Sequence, residues 1–164
     1  MAPPDNGWIK LNSDGAVSKG GDKGGAGAIL RDHDGAFRVG LCHFVRGTAD
    51  PQYMEIFACR RALQVAQEMN AEKVHVELDS QGVVRMLNNP HKELSSAGLW
   101  IQELKAMLAS FSEFRVSWIR RSANVVAHRF ARVGVGDELC KVWLGVTPDF
   151  VLDVISDEIP NAYD

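Results

Sequence analysis

The 164-residue chain is 46% hydrophobic and 24% charged, ordinary composition for one globular domain, and its short, broken apolar runs exclude a membrane span. A formal charge of −3 and a pI near 5.9 argue against strong unaided attraction to polyanions, so any nucleic acid would be met by a local basic patch. Cys42, Cys59 and Cys140 lack metal-type spacing; they read as packing residues in a reducing nuclear or cytoplasmic setting, not as a disulfide framework.

The N-terminal MAPPDNG has neither a basic region nor an apolar segment, so no signal peptide is expected. A strand follows from Trp8 to Asp14, broken by Gly15. Taken alone, Asp14 before Gly15 is a turn aspartate that caps local amides. The Gly-rich SKGGDKGG lacks the GK[ST] ending of a phosphate-binding loop and reads as a hairpin connection. Two β-rich runs then flank the turn DHDG, with Asp34-Gly35 at its tip, which completes a three-strand antiparallel meander.

TADPQYMEIFACRRALQVAQEMNA has helical spacing, with Asp50 as N-cap and Pro51 at the first helical position. KVHVELD is a strand ending at Asp79, and SQGVVRMLNN a short helix stopped before Pro90. The stretch from Ser95 to Ser110 is an amphipathic helix, FRVSWI a fifth strand, and SANVVAHRFARVG a helix starting near Ser122 or Asn124. The order βββαβααβα predicts an α/β fold with a five-stranded mixed sheet flanked by helices, spanning residues 7–136, and residues 137–164 form a less regular tail that packs Trp143 back onto the domain.

Ligands gather at the carboxyl ends of parallel strands in such sheets, and Asp14 and Asp79 both sit there. Glu55, about one turn into the first long helix, reaches the same edge if it faces the sheet. Three converging carboxylates repel unless compensated, and the usual partner of hard oxygen ligands is a divalent cation such as Mg²⁺. Two such ions about 4 Å apart suit in-line attack on a phosphodiester. The simpler reading, surface acids serving as caps, stays open on spacing alone.

LNSDGA, AGAIL, MEIFACRRAL, VELDSQGVV and WIRRSANVVAHRFAR together resemble the ribonuclease H family, most closely the plant ribonuclease H-like domains of retroelement polyproteins and related host genes. The resemblance implies a ribonuclease H-like fold and an endonuclease that cuts the RNA strand of RNA–DNA hybrids, leaving a 3′-hydroxyl and a 5′-phosphate. It implies two divalent cations, Mg²⁺ or Mn²⁺, held by Asp14, Glu55 and Asp79, and substrate contacts from Gly15 and from Gln81 to 2′-hydroxyls. It also implies a domain of a longer polyprotein, with residues 1–6 as a linker, and the expectation is a monomer off the membrane.

The sequence departs from that pattern in four places. Where many relatives have a fourth acid in N-x-x-A-D, ANVVAHRFA places His128, itself a plausible metal ligand. The link between FRVSWI and SANVVAH is a short RRS in place of a Gly-rich loop bearing histidine, which implies slow turnover. No extra basic helix lies between Val83 and Trp118, which leaves Arg120 and Arg121 as the phosphate contacts nearest the site. TADPQY leaves only Gln52 and Thr48 as partial substitutes for an Asn-rich phosphate-binding turn. These departures keep a rival alive: a catalytically weak or silent module that binds nucleic acid or a protein partner. A 3′–5′ exonuclease ranks last, because Asp14 is followed by Gly-Ala and not by x-Glu.

Overall fold

The computed structural model describes residues 7–47 and 50–158; Thr48 and the expected linker at 1–6 lie outside the described residues. Three strands form the antiparallel meander, β1 (Trp8–Val17), β2 (Lys23–Arg31) and β3 (Phe37–Arg46), and the β2–β3 turn places Gly35 at φ 79°, where glycine is favoured. Helix α1 (Pro51–Glu68) starts as its sequence dictates: the Asp50 carboxylate accepts from the Tyr53 amide at 3.0 Å, and Pro51 occupies the first turn. Strand β4 (Lys73–Leu78) then runs parallel to β1, and β5 (Glu113–Trp118) parallel to β4, with α2 (Gln81–Asn88) and α3 (Gly98–Ala109) between them. Helix α3 is shorter than its amphipathic stretch because Ser95 heads a separate turn, accepting from the amides of Ala97 through its hydroxyl and of Gly98 through its carbonyl.

Among the described residues the sheet has six strands, not five. Residues after α4 (Val125–Gly136) continue into β6 (Lys141–Leu144), which pairs antiparallel with β3 from Val39↔Leu144 to Cys42↔Lys141, and then into α5 (Leu152–Glu158). The spatial order is β5-β4-β1-β2-β3-β6. This strand was invisible to periodicity because it has four residues at an exposed edge, with only Trp143 half-buried. Tertiary contacts settle it: the Trp143 ring packs 5.5 Å from Phe130 and 5.4 Å from Phe150.

Side-chain alternation splits the sheet into two faces. Leu11, Ala28 and Leu30 join Ile56, Cys59 and Leu63 of α1 in the main core, while Ile29 turns to the other face with Val126 and Phe130 of α4. Helix α4 lies close because β2 offers it glycines: a Cβ at Gly27 would sit 2.1 Å from the Ala131 amide nitrogen. Cys42 and Cys59 pack in the interior as expected, but Cys140 is exposed, and all three are free thiols. Among the described residues no helix is long and apolar enough to cross a membrane.

Candidate active site

The two ladders of β1 end at different places, and this opens the site. Pairing with β2 continues to Val17, so Asp14 lies inside the strand and not at its end, opposite Gly27. Pairing with β4 stops at Asn12↔Glu77, and Asp79 follows the last residue of β4. Asp14 therefore stands where the parallel ladder has just parted. A Cβ at Gly15 would lie 2.6 Å from the Met54 carbonyl carbon, so only glycine lets α1 come this close to β1. That approach carries Glu55 over the edge, where its Oε1 accepts from the Gly15 amide at 3.4 Å. Gly15 is thus a close-approach residue whose amide also orients a carboxylate.

Asp14, Glu55 and Asp79 each bring a carboxylate oxygen within 4.8 Å of the other two. The Asp14 and Asp79 side chains are only 2% and 3% exposed. Among the described residues, Asp14 Oδ1 and Glu55 Oε2 are buried without a hydrogen-bond partner. Burial raises the Glu55 pKa well above the ordinary carboxylate range, reinforced by the charges of Asp14 and Asp79 beside it. Burial and then Asp14 raise Asp79, against the lowering contributions of Asn124, Arg121 and His128. Three hard, mutually repelling ligands, two of them with an orphaned oxygen, are the donor set that a divalent cation satisfies, so the residues fit Mg²⁺ or Mn²⁺.

A stability consequence follows. A carboxyl group with a raised folded-state pKa favours the folded state below about pH 4.5, its unfolded value, and that contribution is lost as pH rises toward its folded pKa. In EDTA, Glu55→Gln should raise stability at pH 7 by about 1–3 kcal/mol and flatten the decline above pH 4.5, read by urea unfolding at several pH values. A variant as pH-sensitive as the wild type would remove Glu55 as the source.

His128, on α4, reaches the cluster directly: its Nδ1 lies 2.7 Å from Asp14 Oδ2, with the side chain 45% exposed. With Nδ1 donating to the Asp14 oxygen, a neutral imidazole keeps its lone pair on Nε2. The other expected contacts lie around this centre. Arg121 Nε is 3.9 Å from Asp79 Oδ2 on a side chain 80% exposed, an outer partner of that carboxylate. Arg120 precedes the 3-10 turn Arg121–Ala123 that leads to α4. Gln81 is exposed at the first turn of α2, whose N-cap is Ser80, accepting from the Val83 amide. Gln52 lines a cleft with Gly82, Arg85 and Asn89 between α1 and α2.

Three residues near the centre escaped the sequence reading. Trp118 donates its Nε1–H to the Asp79 carbonyl at 3.2 Å and holds the chain at the end of β4. Asn124 makes no side-chain cap for α4; its Nδ2 donates to the Ser13 carbonyl at 3.0 Å and to Asp79 Oδ2 at 3.4 Å. Asn12 lies behind it, and the polar alternation Lys10, Asn12, Asp14 was its one sequence signal. A second acidic group, Asp32, His33 and Asp34, sits at the exposed β2–β3 turn, where Asp32 Oδ1 accepts from the amides of Asp34 and Ala36. Those bonds account for it as turn chemistry.

Comparison with known proteins places this geometry. The reverse transcriptase-like family matches residues 12–134. An Arabidopsis thaliana protein described as a "Putative ribonuclease H protein" is 24% identical over 152 residues, which cover 93% of this chain and 24% of that protein. The chain thus spans about a quarter of that relative's length. Among solved structures, the N-terminal RNase H domain of a Mycobacterium tuberculosis protein superposes with a TM-score of 0.73 at 20% identity, covering 79% of this chain and 94% of that one. RNase H1 of the archaeon Halobacterium salinarum gives 0.72 at 22%, covering 79% and 98%. A compost-derived RNase H1 solved with an RNA/DNA hybrid gives 0.69 at 19%, also covering 79% and 98%. These likenesses show a ribonuclease H-like fold, and the match over residues 12–134 shows the family: the chain belongs to the reverse transcriptase-like family.

Proposed function

We propose that this domain is a metal-dependent endoribonuclease that hydrolyses the RNA strand of RNA–DNA hybrids. The observation that carries the proposal is the convergence of Asp14, Glu55 and Asp79 with two buried oxygens left unsatisfied. Asp14, Glu55 and Asp79 would hold two divalent cations, Mg²⁺ or Mn²⁺, with His128 as the fourth ligand. Bound there, the cations supply an activated water and charge neutralisation at the leaving oxygen. The protein's part is to hold the ligands in place before substrate arrives: the Gly15 amide turns Glu55, Trp118 fixes the Asp79 backbone, and His128 orients Asp14. Gln81 and Gly15 would read the RNA strand, and Gln52, Arg120 and Arg121 would meet phosphates, a task suited to the exposed guanidinium of Arg121.

A labelled hybrid incubated with Mg²⁺ and Mn²⁺ separately tests the proposal: cleavage of the RNA strand, abolished by EDTA, is expected, and no cleavage with either ion overturns it. The acidic charge and the Asp14–His128 contact, which engages Asp14 Oδ2, support a second reading, a weak or silent nucleic-acid-binding module of a longer protein. Both readings predict weak, salt-sensitive hybrid binding. Replacing Arg120 and Arg121 with alanine should shallow the slope of log affinity against log salt by roughly two units, one per contact, in a fluorescence anisotropy titration. An unchanged slope would assign both arginines to the solvated surface.

A further inference from the structure

A line of buried polar side chains runs from the middle of the sheet to the site. Lys10 and Glu77, 1% and 3% exposed, form an ion pair at 3.3 Å. The Asn12 amide nitrogen donates to Glu77 Oε1 at 3.1 Å and to Asn124 Oδ1 at 3.3 Å. Asn124 in turn donates to the Ser13 carbonyl and to Asp79 Oδ2. The alternation of β1 places Lys10, Asn12 and Asp14 on one face, and the register sets Asn12 beside Glu77, two residues before Asp79.

Stability alone does not account for this line. Replacing a buried ion pair with apolar residues of similar volume is often neutral or favourable, and Asn12 Oδ1 and Ser13 Oγ are buried there without partners among the described residues. What the line does accomplish is orientation. The Glu77 carboxylate only accepts, so the Asn12 amide must turn its NH₂ toward it. That NH₂ also meets Asn124 and draws its carbonyl oxygen inward. Asn124 is thereby left with its NH₂ aimed at Asp79, and the reversed amide would set oxygen against oxygen.

We infer that Asn12, set by the Lys10–Glu77 pair, is a positioning residue that acts through Asn124 to fix the Asp79 carboxylate for metal binding. This rests on the metal-site reading of Asp14, Glu55 and Asp79. Outer partners of metal-binding side chains typically change metal affinity by about 10–100-fold when removed. The test measures Mn²⁺ affinity by titration calorimetry and the urea unfolding midpoint in EDTA, for the wild type, Asn12→Leu and Asn124→Ala. Asn12→Leu, which touches no carboxylate of the site, should weaken Mn²⁺ binding to the folded protein about tenfold, a larger loss than its lower unfolding midpoint in EDTA accounts for; that midpoint falls because Glu77 Oε1 and Asn124 Oδ1 lose their donor. Asn124→Ala should weaken it at least as much. Asn12→Ser, a smaller polar side chain that cannot span both neighbours, carries the same expectation if the leucine variant does not fold. Affinity within twofold of wild type in a folded Asn12 variant overturns the inference, as does affinity that falls only in step with lost stability, the mark of a purely structural role. A wild-type protein that binds no Mn²⁺ overturns both this inference and the metal-site reading, whereas normal wild-type binding with insensitive Asn12 variants overturns this inference alone.

Discussion

Asp14→Asn should reduce cleavage of a labelled RNA–DNA hybrid at least about a thousandfold with either Mg²⁺ or Mn²⁺ while leaving the fold intact. The substitution is nearly isosteric, so packing at this almost fully buried position is preserved and the change isolates charge and ligand character. Asp14 takes part in two interactions, the repulsion that raises Glu55 and Asp79 and the hydrogen bond from His128, and it carries an unpartnered Oδ1 for a cation. An amide at this place keeps an oxygen that can accept from His128 but loses the charge, so cation affinity should fall steeply. In EDTA the same loss removes like-charge repulsion, and the thermal midpoint should be equal to or above that of the wild type. Activity and apo stability thus move in opposite directions. Undiminished cleavage by the variant would show that the three carboxylates are not the catalytic centre.

Much of the architecture was legible because local and global signals agree. The meander follows from β-rich runs around Asp34-Gly35, and α1 from Asp50, Pro51 and its apolar spacing, each of which the structure realises. Asp14 and Asp79 drew attention as acids after strands, and Glu55 as an acid one turn into a helix. What failed were features decided by other parts of the chain. Asp14 is interior to β1 because β2 continues to pair beyond it, and that pairing leaves no local mark. Strand β6 exists through β3 and Trp143, and its four residues show no alternation. Asn124 looks like an ordinary cap in sequence, yet its amide is used by Ser13 and Asp79, more than forty positions away in the chain. Nothing local joins Lys10 to Glu77; the pairing of β1 with β4 brings them together and buries them.

His128 stands where a fourth acid would complete the set, and its substitution should separate charge from geometry. With His128 neutral, the cluster offers three negative charges instead of four, and imidazole favours Mn²⁺ over Mg²⁺, so the wild type should be more active with Mn²⁺. His128→Ala removes the donor 2.7 Å from Asp14 Oδ2 together with the ligand nitrogen, and activity should fall about tenfold or more with both ions. His128→Asp should act in the opposite sense with Mg²⁺, raising the ratio of the Mg²⁺ rate to the Mn²⁺ rate. That gain has a cost in the absence of metal. A carboxylate in place of the imidazole loses the hydrogen bond to Asp14 and sets two negative charges side by side, and because His128 is nearly half exposed, solvent limits the penalty to about 1 kcal/mol. His128→Asp should therefore unfold earlier than the wild type in EDTA and recover, or exceed it, when Mg²⁺ is added. The rate ratio reports the ligand and the EDTA midpoint reports the Asp14 contact. If His128→Ala leaves rate and metal preference unchanged, the imidazole is no ligand, and its hydrogen bond to Asp14 belongs to the metal-free protein alone.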